Sequence, residues 1–296
     1  MKTTGLFKCH IYKIHVETIN DVINIVPFGD IHRFAPLCNV EKWYESIERM
    51  KSLDHDNTYF LGMGDYDDLM SASERAVFDN PNIHESTRET LDDFASAKTF
   101  ELAKELDFMK GRIIGMLGGN HYYEFPSGMT SDHKLCEHLN TTYLGVSSVI
   151  RLSVSQGKRG GSSSLDIWAH HGMGASRLVG GSINRVEQMR EGMHCDVYLM
   201  GHDHQRAAVP VDLLVPSGGG AGVFRVKRKT QWLCRTGSFL NAYQDGKAGY
   251  IVDAARGPVN QGHIELQVSL NREEIKPTKA GRKRSDSLSL SVKALV

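Results

Sequence analysis

The sequence predicts one α/β domain built around a parallel sheet, on three observations. Short apolar runs of β character alternate with stretches of helical periodicity. Several of those runs end at a glycine followed by Asp, Asn or His. The chain has 296 residues, 40% hydrophobic and 24% charged, the profile of a folded globular protein with the excess length in loops and a tail.

Residues 22–28 (VINIVPF) make the first apolar run, which stops at Gly29 and Asp30. Residues 40–53 then carry Trp43, Ile47 and Met50 at helical spacing, and residues 58–63 make the second apolar run. A β, α, β order of this kind implies parallel pairing. Ser86 with Glu89 forms a capping box for a helix over 87–110, where Leu91, Ala95, Leu102, Leu106 and Met109 recur at steps of three and four around Lys98. A third β run, 112–117, follows directly.

Beyond Gly128 the pattern gives a short helix at 131–139, a β-like stretch at 143–155 and a polar Gly/Ser loop at 156–164, expected to be mobile. A strand at 165–169, a Gly-rich loop at 172–181, a helix at 183–193 and a strand at 196–200 come next. Later strands are expected at 223–233, 248–253 and 263–270. Residues 1–270 thus read as one domain and 271–296 as a polar, basic C-terminal tail, solvated from 276 onward.

Lys plus Arg (35) equals Asp plus Glu (35), so no global field recruits nucleic acid or an anionic membrane. No stretch reaches the roughly 18 apolar residues of a membrane span. Residues 1–17 lack the apolar core of a secretory signal, so a cytoplasmic location and no membrane partner are expected. The five cysteines (Cys9, Cys38, Cys136, Cys195, Cys234) are widely spaced without a CxxC pair and read as reduced, mostly buried thiols.

The chemistry is written at the strand ends. The first run ends in Gly29-Asp30-Ile31-His32, the second in Gly64-Asp65-Tyr66-Asp67-Asp68 and the third in Gly118-Gly119-Asn120-His121. The 165–169 strand leads into His170-His171, and the 196–200 strand into Gly201-His202-Asp203-His204. Carboxyl ends of parallel strands are where α/β proteins bind ligands, so the clusters would converge on one crevice. Any one of them could be a turn whose Asp or Asn caps backbone N–H groups. Five in order are not explained that way. Carboxylate and amide oxygens mixed with imidazoles suit Mn, Fe, Zn or Co, and the lack of paired cysteines speaks against a structural thiolate zinc site. Seven such ligands exceed the need of one ion, whereas two ions about 3.5–4 Å apart, bridged by a carboxylate, would use them all.

The ordered set DIH, GDYDD, GNH, HH and GHDH, spanning residues 30–204, resembles the calcineurin-like metallophosphoesterase family, whose pattern is D-x-H, G-D-x-x-D, G-N-H, H and G-H-x-H. Thr236-Gly237-Ser238 resembles the small turn that often follows the last motif. The resemblance implies an α/β fold of two mixed sheets in a sandwich flanked by helices. It also implies that Asp30, His32 and His204 hold one metal, that Asn120, His202 and His170 hold the other, and that Asp65 bridges them. His121 would protonate the leaving oxygen and Asp68 would orient His121. His170 is preferred to His171 because family members with His-x-Pro here ligate through the first histidine; His171 would then face substrate. Asp67 and Asp203 are placed outside the ligand set. Tyr122, Leu69 and Arg33 depart from the protein Ser/Thr phosphatase branch and argue against that activity.

The implied function is hydrolysis of phosphodiester bonds, phosphodiesterase or nuclease-like, by metal-hydroxide attack with two divalent ions, manganese first among them. The partner is then a phosphate ester, a nucleotide or DNA. A phosphomonoesterase or pyrophosphatase acting on a small nucleotide is the rival enzyme, and a non-catalytic metal-binding interaction module the rival of another class. Arg177, Arg185 and Arg190 after the fourth motif, and Arg225, Lys227, Arg228 and Lys229 after the fifth, would contact phosphates if they face the crevice and are otherwise a solvated face. Tyr122, Tyr123 and Phe125 read as packing residues before base-stacking ones.

Overall fold

A computed structural model gives the fold. It describes residues 9–78, 84–157, 161–174, 176, 178–218, 224–243, 245, 257–273 and 287–296. The expected strand at 248–253, Arg177 and much of the expected tail lie outside those residues.

The central strands are apolar on both faces, and two sheets bury their inner faces against each other. The first sheet runs β1 (His10–Val16), β5 (Ser147–Gln156), β6 (Ser162–His170), β7 (Val197–Met200), β9 (Phe224–Ser238), β10 (Gly262–His263), with β8 (Arg206–Gly218) also paired to β9. The second runs β12 (Ser287–Leu295), β11 (Glu265–Glu273), β2 (Val22–Phe28), β3 (Thr58–Gly62), β4 (Ile113–Met116). Both are mixed. In the second, β2, β3 and β4 are parallel as expected, while β11 and β12 run antiparallel. In the first, β1 with β5, β6 with β7 and β7 with β9 are parallel and the other pairs antiparallel.

The split of side chains within β2 shows how the layers form. Ile23 and Ile25 enter the core between the sheets with Leu61, Ile114, Ile150, Ile167, Val197, Leu199 and Leu266. Val26 and Phe28 face the other way, onto Trp43, Ile47 and Met50 of α1 (Val40–Ser52), Leu102 of α3 (Glu85–Glu105) and Leu135 of α4 (Ser131–His138). Val186 and Met189 of α5 (Val179–Gly192) cover the outer face of the first sheet at Tyr198 and Leu233. Two mixed sheets with helices on their outer faces are the architecture the motifs implied.

Helix ends differ locally from expectation. α1 is capped by Asn39, whose side chain accepts from Lys42 N at 3.0 Å. α3 begins at Glu85, capped by the His84 ring and not by a Ser86 box, and a 3₁₀ turn, Asp107–Met109, replaces its last residues. A short helix, α2 (Ala72–Phe78), carries no buried residue and gives no apolar signal in the sequence.

Two larger differences bear on function. The segment expected as a solvated tail supplies β12, whose Leu290, Val292 and Ala294 pack on the inter-sheet core while Trp232 Nε1 donates to Val292 O at 2.8 Å. The alternation SLSLSVKAL is itself a strand pattern, and it outweighs the serine and lysine content. The basic run lies on the exposed part of β9, upstream of Trp232, which pairs with Val197 at the start of β7. The motif clusters follow the other ends of β7 and β9, so Arg225, Lys227, Arg228 and Lys229 do not line the crevice. Lys229 meets Asp196 at 2.6 Å and Arg228 meets Asp212 at 3.5 Å.

The β12 assignment is testable by denaturant unfolding. Val292→Asp places a charge against the core and should destabilise the protein by about 1–3 kcal/mol, whereas Lys293→Asp on the exposed face should stay within about 0.5 kcal/mol. Equal, negligible effects would mean that this segment is solvated.

Candidate metal centre

Five strand ends deliver the functional side chains to one edge of the sandwich. β2 is followed by Asp30 and His32, β3 by Asp65 and Asp68, and β4 by Asn120 and His121 from one sheet; β6 is followed by His171, and β7 by His202 and His204, from the other. Backbone must approach these carboxylates closely, and the motif glycines permit it. A Cβ on Gly119 would overlap the Asp65 carboxylate, and one on Gly201 would stand 2.5 Å from Asp30 Oδ2. The polar residues take on the strain themselves. Asp30, His32, Asp65, His202 and His204 all have φ between 47° and 70°, the left-handed region that side chains other than glycine seldom adopt.

Asp65 stands at the middle. Its Oδ1 accepts from Asn120 N at 2.6 Å and from His121 N at 3.0 Å, while its Oδ2 lies 3.2 Å from His171 Nε2 and 3.7 Å from His32 Nε2. On one side, His32 Nε2 faces His204 Nε2 at 3.1 Å, with Asp30 Oδ1 4.0 and 3.9 Å from the two nitrogens. On the other, Asn120 Oδ1 is 2.9 Å from His171 Nε2 and 2.8 Å from His202 Nδ1. Three groups of ligand atoms within 4.8 Å of one another result: Asp30, His32 and His204; Asp65, His171 and His202; and His32, Asp65 and His121.

The donor set fits divalent cations. His171 Nδ1 donates to Met63 O at 2.8 Å, which orients the ring and aims Nε2 at the Asn120 and Asp65 oxygens. Lone pairs of nitrogen, amide oxygen and carboxylate thus converge in a buried space. Such groups repel unless protons or a cation stand between them.

Protonation of the residues reflects the same crowding. Burial pushes Asp30 up to about 7, and the nearby Asp65 charge adds to it. Burial acts on Asp65 in the same sense, but the neighbouring His171, His32 and His121 hold it well below the usual carboxylate range. His171 is raised to about 9, its desolvation more than offset by Asp65 and Asp30. Burial and the His171 charge depress His202 to about 4. The Asp68 bond and the surrounding carboxylates raise His121 against its own desolvation.

Every member of the expected ligand set except one is in this cluster. His170 is outside it: its Nδ1 accepts from Gly172 N at 2.7 Å, and His171 takes the place expected for it. The reason is strand parity. Leu165, Ile167 and Ala169 of β6 face the core, and the next residue of that phase is His171, not His170. His121 and Asp68 pair as expected, Nδ1 to Oδ1 at 2.5 Å. Asp67 is buried facing Arg33 at 3.5 Å, and Asp203 is buried between Arg235, at 3.0 Å, and Ser182. Arg190 bonds Gln231 and Glu187, and Tyr123 is buried with its hydroxyl on Asp92.

Residues that sequence reasoning missed hold the cluster from behind. Arg75 of α2 reaches the carbonyls of Met70 (2.7 Å), Asn120 (3.0 Å) and Tyr122 (3.0 Å) through Nη1, and its guanidinium stacks on the Tyr122 ring. Asp132 accepts from Gly119 N at 3.0 Å, and Ser238 Oγ donates to Asp30 O at 2.9 Å. Arg235 Nη1 donates to Gly201 O at 2.8 Å. Ser238 belongs to the Thr236-Gly237-Ser238 turn, whose contact with Asp30 the sequence did not show; the other three lie in no motif, and contacts of this range leave no spacing signal to read.

Fold and site together define a mixed α/β sandwich carrying a histidine–carboxylate cluster suited to divalent metal. No family model and no curated protein matches the chain. Among solved structures it is similar to Vps29 of Entamoeba histolytica, as a single mutant (13% identity, TM-score 0.37, covering 91% of this chain and 99% of that one). It is similar also to the wild-type protein complexed with Zn²⁺ (11%, 0.36, 90% and 99%) and to Chaetomium thermophilum Vps29 (10%, 0.34, 92% and 96%). No helix among the described residues is long and apolar enough to cross a membrane.

The exchange of histidines can be checked by elemental analysis of protein loaded with Mn²⁺ or Zn²⁺. His171→Ala should lose bound metal and His170→Ala should retain it; the opposite pattern would return the ligand to His170.

Proposed function

We propose that the protein is a dinuclear, metal-dependent phosphoesterase of calcineurin-like type that cleaves phosphodiester bonds. The observation that carries this reading is the placing of two metal-suited groups on either side of Asp65, with the His121–Asp68 pair beside them. Asp30, His32 and His204 would hold one ion, Asn120, His171 and His202 the other, and Asp65 would serve both. Two divalent cations held there, Mn²⁺ foremost with Fe, Zn and Co as alternatives, would supply positive charge to phosphoryl oxygens and acidify water.

The chain's own residues supply positioning and a proton. The Nδ1 of His121 is engaged by Asp68, which leaves Nε2 to carry a proton toward a leaving oxygen. His121 and Asp68 are partly exposed, about a quarter each, whereas Asp30, His32 and Asp65 are buried. The proton donor therefore stands on the solvent side, where a leaving group departs. Arg75 and Asp65 fix the backbone on both sides of His121, so its ring is held by the loop as well as by Asp68. A phosphate ester such as a nucleotide or a nucleic acid fits this arrangement as substrate.

Two measurements test the reading. Asp65→Asn should lower metal stoichiometry and abolish turnover of a diester with a native circular dichroism spectrum; normal metal content and rate would end the dinuclear assignment. General acid catalysis typically contributes about 10²- to 10⁴-fold. His121→Ala should lose that much with an alkoxide leaving group and far less with nitrophenolate, and Asp68→Asn should follow the same trend more weakly. A uniform loss for every ester would show that His121 positions substrate instead.

A further inference from the structure

Phe34 is two residues from His32 and holds a φ of 75°, a conformation in which a bulky side chain is a clear outlier. The strained ring is not buried. It is 43% exposed, and it stands against Phe94 of α3, itself 49% exposed, with centroids 6.4 Å apart and planes at 59°. Lys98 Nζ lies 5.2 Å from the Phe34 centroid and 5.8 Å from that of Phe94, and the Arg33 guanidinium lies 5.1 Å from Phe34. Strained backbone that leaves an aromatic ring nearly half exposed gains little packing, and such outliers cluster at ligand sites.

Position then says which ligand. Arg33 O accepts from Asp68 N at 2.7 Å, and Asp68 holds His121. Phe34 is the next residue along, so the aromatic pair flanks the His121 side of the cluster, where the leaving group of a phosphoester would depart. We propose that Phe34, Phe94 and Lys98 form a subsite for a nucleobase carried by the leaving group, so that the substrate is a nucleotide ester and not a simple alkyl one. This rests on the phosphoesterase reading above. The exposed ring faces stack the base, and Lys98 adds a cation beside them, although Glu101 shares that ammonium at 2.9 Å. Arg33 is held by Glu105 at 2.9 Å and by Asp67, so it anchors the Phe34 turn and leaves ligand contact to the rings and Lys98.

The test compares Mn²⁺-loaded wild type with Phe34→Gly and with the double variant Phe34→Gly, Phe94→Ala. The substrates are a dinucleotide and a diester whose leaving alcohol is glycerol. Base–aromatic stacking corresponds to roughly 5- to 150-fold in binding per base. The ratio of kcat/KM for dinucleotide over glycerol diester should fall by that order in the double variant. Phe34→Gly should keep or raise Tm, because glycine accepts the left-handed backbone freely. An unchanged ratio would overturn the subsite, and a lowered Tm with the ratio intact would make Phe34 a packing residue. Calorimetric binding of a nucleoside 5′-monophosphate and of glycerol phosphate separates this from the underlying reading. If wild type hydrolyses neither diester, the phosphoesterase proposal fails alone. The subsite then stands if the nucleotide binds more tightly and the variant loses that difference, and falls if the two bind alike.

Discussion

A carboxylate taken out of water must recover hydrogen bonds and counter-charge from the protein, and most of this edge of the fold is arranged to give them to Asp65. One of its oxygens is capped by two successive backbone N–H groups of the Asn120 loop; the other faces His171 and His32. Those partners come from three different strands of two different sheets. The sheets can therefore satisfy Asp65 only in one relative register, and an error there would strand a buried charge. Arg75, Asp132, Ser238 and Arg235 extend the demand outward, each bonding the backbone of a loop whose side chain stands in the cluster.

The same constraint explains where strain collects. Five polar residues of the cluster accept left-handed backbone because only that turn brings a short Asp or a His ring back over its own strand end. The layers beneath, Ile23 and Ile25 inward with Val26 and Phe28 outward, make the strands too well packed to relax. Phe34 shares the strain without joining the cluster, although it follows His32 by only two residues.

The strand ends were legible in the sequence because apolar runs stop abruptly and the chemistry follows at once, as at VINIVPF-Gly29-Asp30. The pairing of Asp68 with His121 was legible only through the family resemblance. The choice between His170 and His171 could have been read from period two: Leu165, Ile167 and Ala169 put His171 in phase with the core, but the family pattern pointed to the other histidine. β12 was hidden for a related reason, since its alternating leucines sit among serines that read as solvated. Arg75 and Phe34 carried no signal at all. Their roles rest on a helix without buried residues and on a backbone angle, neither of which leaves a mark on composition or spacing.

The order of the second sheet has a consequence for how the protein is made. Ile23 of β2 pairs with Val268 of β11, and β12 closes the sheet beyond it. On the ribosome β2, β3 and β4 emerge long before β11, the strand that gives β2 its second neighbour. Until then Ile23 and Ile25 have only part of their cover. The nascent chain must be held off aggregation with its longest-range contacts outstanding. The cluster would take its final shape only once β11 has joined β2, so that closing of the second sheet and assembly of the centre become one event.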